Sequence, residues 1–176
     1  DRSSAASDVY KRQDLKYSVV SQINTIDRNS DGLVDHLYFG DLAGQAFRVD
    51  INNAPKLTGT PTIGDLKNNF VKRVVTLFSE QVSSGLSPRF YEMPSVSIHV
   101  DPVTGKSFAA VAYSSGNRSS PLIGTVTAGE STITASAKDG VFVVYDNDVV
   151  SKNLYDATYT PVTCLLYTSD AADERS

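Results

Sequence analysis

Apolar residues in this chain fall into short runs rich in Val, Ile, Tyr, Phe and Thr, bounded by Gly, Asp, Asn and Pro, and no helical period is sustained. That pattern predicts strands separated by turns. The runs lie at 16–26 (KYSVVSQINTI), 36–40 (HLYFG), 45–51 (QAFRVDI), 71–79 (VKRVVTLFS), 95–100 (SVSIHV), 107–113 (SFAAVAY) and 140–146 (GVFVVYD), with a weaker candidate at 132–134. The connectors 41–44 (DLAG) and 101–106 (DPVTGK) have hairpin chemistry, with Gly available for positive φ and Pro presetting the bend. Antiparallel pairing follows. Residues 52–69 are rich in Pro, Gly and Asn, and residues 114–139 in Ser, Thr, Gly and Ala, so both stretches read as loops. The expected fold class is all-β.

The two ends change what composition means. Residues 1–13 (DRSSAASDVYKRQ) and 164–176 (CLLYTSDAADERS) resemble translated sequencing-adapter read-through and are set aside from fold reasoning. The expectation is a body at 14–163 cut from a longer protein. Of the chain's net charge of −4, the first segment carries +1 and the last −2, which leaves −3 on the body. Such mild acidity, without a basic run, gives no footprint for nucleic acid or an anionic membrane surface. Cys164 falls in the closing segment, so the body has no thiol for a disulfide or a metal. No run reaches the roughly 18 apolar residues of a membrane span.

One loop carries chemistry. In Asp27-Arg28-Asn29-Ser30-Asp31-Gly32-Leu33-Val34-Asp35, oxygen-bearing side chains occupy positions one, three, five and nine, and glycine occupies position six. Calcium is a hard cation that takes six to eight oxygens at about 2.3–2.6 Å, so a chain must wrap around it and present alternate side chains inward. Asp27, Asn29 and Asp31 fit that role, Gly32 permits the sharp turn, the Leu33 carbonyl is placed to point back, and Asp35 closes the shell. Three carboxylates against a dication leave about −1, which suits calcium in an oxygen cage over a metal that prefers nitrogen or sulfur. An EF-hand would continue to a glutamate at position twelve, but Tyr38 stands there and both flanks read as strands. His36, next to the loop, reads as a surface strand residue. The competing reading is an Asx-rich turn whose carboxylates cap their own amides.

The loop with its continuation, DRNSDGLVDHLYFGDLAGQAFRVDI, resembles the calcium-loop blade of the C-terminal β-propeller in the PilY family of type IV pilus assembly factors and tip adhesins. Residues 88–100 (PRFYEMPSVSIHV), 107–118 (SFAAVAYSSGNR) and 141–148 (VFVVYDND) are similar to later segments of that propeller, so the resemblance covers most of 17–150. It implies an incomplete β-propeller of antiparallel blades, with a β-sandwich as the alternative. It also implies Ca2+ at Asp27, Asn29, Asp31, Leu33 and Asp35, and a place outside the cytoplasm, at the cell surface, outer membrane or pilus. The partners it implies are pilus components such as minor pilins, and host or abiotic surfaces. Calcium would regulate pilus extension against retraction. The adhesive part of such proteins often lies in an N-terminal domain, and residues 115–118 (SGNR) are read as structural.

Two other classes share features of this sequence. An integrin-like repeat propeller carries the same Asp-x-Asn-x-Asp-Gly-x-x-Asp loop and binds proteins or glycans, but repeats the loop on neighbouring blades, whereas it occurs once here. A quinoprotein-like dehydrogenase also combines calcium with propeller blades, but its blades are usually rich in tryptophan, and this chain has none. There is no Gly-x-Ser-x-Gly elbow and no metal-binding histidine pair, since His36 and His99 are the only histidines. The chain is therefore read as a binding protein and not an enzyme.

Overall fold

The alternation seen in the sequence becomes ten strands in a computed structural model, which describes residues 15–28, 30, 32–51, 71–82, 87–118, 125–128, 131–134, 139–151, 154, 158–161 and 165–170. They are β1 (Asn24–Ile26), β2 (His36–Gly40), β3 (Gln45–Ile51), β4 (Val71–Ser79), β5 (Ser95–Val100), β6 (Ser107–Ser114), β7 (Thr125–Ala128), β8 (Ser131–Thr134), β9 (Gly140–Asp146) and β10 (Leu165–Asp170). Every pairing between them is antiparallel, and no helix occurs among the described residues. The fold is all-β.

Two four-stranded sheets dominate. The first runs β1-β2-β3-β4 in chain order, and the second runs β10-β9-β6-β5, with β7 and β8 forming a separate hairpin inserted between β6 and β9. Each sheet is thus a meander of successive antiparallel strands. The turn chemistry holds at both predicted hairpins. Asp41 N–H donates to the Gln45 carbonyl at 2.9 Å, with Gly44 at φ +83°, and Asp101 N–H donates to the Lys106 carbonyl at 2.8 Å, with Gly105 at φ +67°.

Strand parity decides what is buried. Tyr38, Ala46, Leu77 and Phe78 of the first sheet meet Phe90, Ala109, Val111, Tyr113, Phe142 and Val144 in one core between the sheets. Phe78 stacks on Phe142 with centroids 5.5 Å apart and meets Phe90 and Tyr113 edge-on, the offset and T-shaped geometries that aromatic quadrupoles favour. A bulge in the β3–β4 ladder between Ala46 and Phe47 lets Leu77 and Phe78, neighbours in sequence, both reach this core. The opposite parity of the first sheet is also apolar: Phe39, Phe47 and Val49 form a second buried cluster with Leu37, Ile51 and Val74 packed against it. The first sheet therefore buries both its faces.

Four predicted boundaries change. The run 16–26 yields a strand only at 24–26, because Tyr17, Val19, Val20 and Ile23 stay 40–51% exposed on both parities and no single face can be buried. Leu42 N–H donates to the Ser18 carbonyl at 3.1 Å and Ser21 Oγ to the Gly40 carbonyl at 3.5 Å, and these contacts lay the segment beside the hairpin. Strand β6 runs one residue past the predicted 107–113, β8 starts one residue before the predicted 132–134, and β7 lies inside a stretch read as loop. Residues 165–170, set aside above, pair along β9 from Leu165↔Tyr145 to Asp170↔Gly140 and supply that strand's outer neighbour.

Candidate metal centre

The loop at 27–35 joins β1 to β2, whose ladder ends on the pair Ile26↔His36, so its two ends are held side by side. Asp35 N–H donates to the Ile26 carbonyl at 2.8 Å and closes the neck. Inside, the exposed Asp27 carboxylate accepts Gly32 N–H at 2.8 Å through Oδ2, and the buried Asp35 carboxylate accepts Arg28 N–H at 2.7 Å. Ser30 at φ +58° and Gly32 at φ +88° both adopt left-handed backbone, which coils the chain tightly. Among the described residues nothing lies within 4 Å of where a Cβ on Gly32 would stand, so glycine there supplies conformation and not room. Leu33 is half-buried, and the predicted ligands Asn29 and Asp31 lie outside the described residues.

These contacts fit a hard cation in chemistry and path: the predicted donors are all oxygens, on a chain coiled by two left-handed residues. They are equally the contacts of an Asx-rich turn. Among the described residues no group of three or more His, Cys, Asp or Glu side chains gathers as a metal site.

Beside the loop lies a buried ionic network that sequence reasoning missed. Arg48, with no exposed surface, donates to Asp50 through Nε at 2.7 Å and to both Asp146 oxygens through Nη1 at 2.7 and 2.6 Å. Its Nη2 lies 3.2 Å from Asp50 Oδ2 and 3.5 Å from Asp148 Oδ2. Tyr38 OH donates to Asp146 at 3.0 Å, Tyr159 OH donates to Asp148 at 2.6 Å, and Arg73 Nε lies 3.3 Å from Asp50. His36 corrects an expectation: it is fully buried, with Nδ1 2.9 Å from Asp50 Oδ1. The signal was present as parity. Arg48 and Asp50 share a face with the core residue Ala46, and Asp146 shares one with Phe142 and Val144, so these charges had to enter the core.

Electrostatics follow from this packing. Burial alone would lower the Arg48 guanidinium, but the Asp146 and Asp50 charges raise it, so it stays protonated. Burial alone would raise the Asp50 carboxyl, yet hydrogen bonds from His36 and the charge of Arg48 hold it below the usual carboxylate range. Burial and the adjacent Asp146 carboxylate push the Tyr38 hydroxyl up, leaving it a neutral donor. On the β2–β3 turn, burial raises Asp41 although Ala43 and Gln45 N–H groups both donate to its Oδ1 at 2.9 Å.

Two bridges connect loop and network. The Arg28 guanidinium donates to the Ser151 carbonyl in the turn after β9, and His36 follows Asp35 directly. An open cleft of about 1150 Å³ runs between the loop and the β5–β6 turn, walled by Asp27, Arg28, Asp101, Lys106 and Ser151. The other histidine, His99, sits exposed on β5 with Nε2 2.8 Å from Ser97 Oγ and its ring stacked on Phe108. At residues 115–118, Ser115 N–H donates to the Gly140 carbonyl and Gly116 N–H to the Arg89 carbonyl, tying that turn into the second sheet.

No helix among the described residues is long and apolar enough to cross a membrane. Comparison with protein-family models, curated proteins and solved structures found no match to this chain.

Proposed function

We propose that this chain is the calcium-binding portion of an extracytoplasmic β-propeller similar to that of the PilY-type pilus assembly factors and tip adhesins, and that it binds rather than catalyses. The observation that carries the reading is the 27–35 loop, whose all-oxygen donor pattern sits between two paired antiparallel strands on left-handed backbone at Ser30 and Gly32. Calcium held by Asp27, Asn29, Asp31, the Leu33 carbonyl and Asp35 would neutralise carboxylates that otherwise repel. Arg28 and Asp35 already fix the geometry of the loop's two ends. Pilus components such as minor pilins are the proposed partners, and the cell surface or pilus the proposed location.

Sheet organisation supports blades over a β-sandwich. Each four-stranded sheet is built from strands taken in chain order, whereas sandwiches commonly cross between sheets in Greek keys. A two-layer sandwich also turns polar residues outward, but the first sheet buries Phe39, Phe47 and Val49 on its far face, while the second mixes Phe108, Ala110, Ala112, Val143 and Tyr145 with the exposed Ser95, Ser97 and His99 of β5 on its own. Face-to-face packing about one shared core is what favours the sandwich.

Calorimetric titration of the whole chain with calcium, beside Asp31→Ala, tests the site. One bound ion is expected, with a gain in thermal stability of about 2.7 kcal/mol at a hundredfold excess over Kd, and both are expected to vanish in the variant. A folded chain that takes up no calcium at millimolar concentration removes the proposal. Retention of purified minor pilins on the immobilised chain, in calcium but not in chelator, tests the partner; retention indifferent to calcium would argue against it.

A further inference from the structure

Arg28 occupies the second position of the loop and faces two ways. Its backbone N–H donates to the Asp35 carboxylate across the loop, and its half-buried guanidinium donates to the Ser151 carbonyl, 123 residues away in the turn that follows β9. That turn is no free surface segment. Ser151 N–H donates to the Asp148 carbonyl at 2.8 Å, and the Asp148 carboxylate takes the Tyr159 hydroxyl and faces Arg48. Asp148 N–H and Val149 N–H both donate to Asp146 Oδ1, at 2.9 and 3.3 Å. Arg48 belongs to the first sheet and Asp146 to the second, so residues 146–151 are where the two sheets are tied by charge.

The other end of the loop reaches the same place. Asp35 carbonyl accepts Ile51 N–H at 2.8 Å, and its neighbour His36 meets Asp50, which Arg48 also holds. A change in loop geometry therefore acts on one ionic network from two sides.

We infer that Arg28 is the link through which an ion in the loop fixes the second sheet's 147–151 turn against the first sheet. This rests on the calcium reading above. Binding requires Asp35 to keep its place, Asp35 orients the Arg28 backbone, and the Arg28 side chain carries that order across to Ser151. Coupling of this kind is reciprocal: docking of the turn tightens ion binding by the factor with which the ion tightens docking.

Amide hydrogen exchange of the whole chain, with and without calcium, tests the link in wild type, Arg28→Ala and Arg28→Gln. Gln keeps part of the packing stem but falls short of Ser151, which guards against a variant that merely fails to fold. In wild type, calcium is expected to slow exchange both at 26–36 and at 147–151. In the variants the slowing at 26–36 persists, the slowing at 147–151 is lost, and calcium affinity falls about fivefold or more. Calcium-dependent protection of 147–151 that survives in both variants, or is missing in wild type while the loop is protected, overturns the link and leaves the calcium site standing. Absence of any calcium effect at 26–36 in folded wild type overturns the calcium site and the link together.

Discussion

At the scale of single residues, the structure turns on Arg48. A guanidinium without exposed surface has lost its hydration, and what replaces it is a set of carboxylates: Asp50 from its own strand, Asp146 from the other sheet and Asp148 from the turn that follows it. Pairs of this kind add little net stability compared with an apolar isostere, but stripping one partner leaves an uncompensated buried charge. Asp146→Ala is expected to cost about 3–5 kcal/mol in urea unfolding, and an unchanged midpoint would show that Arg48 finds water or another partner. Asp146 also accepts the Tyr38 hydroxyl and the amides of Asp148 and Val149, so the same substitution frees three further donors. His36 belongs to this set, which is why reading it as a surface residue failed: its neighbours in sequence are the loop, but its neighbour in space is Asp50.

At the scale of elements, the hairpins separate two uses of glycine. Gly44 and Gly105 both have positive φ, but a Cβ on Gly44 would stand 2.9 Å from the Pro88 ring, while one on Gly105 would meet nothing within 4 Å. Gly105→Ala should therefore cost only the left-handed strain, about 1 kcal/mol, and Gly44→Ala that strain plus overpacking, about 2 kcal/mol or more. Equal losses in thermal unfolding would mean that Pro88 moves aside at no cost. Turn chemistry of this kind was legible in the sequence, as were β2, β3, β4, β5 and β9, because each is a compact apolar run with a clear stop on both sides. The strands that were not legible fail for physical reasons. The 16–26 run has apolar residues on both parities and only its last three find a ladder, and β7 is composed of Thr, Val and Ala amid equally Thr-rich surroundings, so nothing marks its ends. In the loop, the order of oxygen-bearing residues could be read from the chain, but the position of Arg28 could not, since its partner lies 123 residues on.

At the scale of the whole molecule, two buried carboxyls pull stability in opposite directions with pH. Asp50 is held below the usual range in the fold, so its contribution is present above the unfolded value of about 3.9 and is lost as pH falls through its native value. Asp41 is raised, so its contribution is complete below about 3.9 and is lost as pH rises through its native value. Thermal unfolding in chelator should therefore show stability increasing as pH drops from 7 towards about 4, then collapsing below it. Burial raises Asp139 as well, so Asp41→Asn should reduce the increase and leave the collapse, and a monotonic fall from pH 7 in wild type would contradict the role given to Asp41. The contact from Arg48 to Asp146 has one more consequence, in time. Each sheet can assemble from neighbouring strands, whereas this pair closes a stretch of 98 residues, at an entropic cost of roughly 4 kcal/mol before any contact is gained. Charges that lose their water only on closure would form late in folding and be rehydrated early in escape, so the ionic seam would govern how long the two sheets stay together more than how fast they meet.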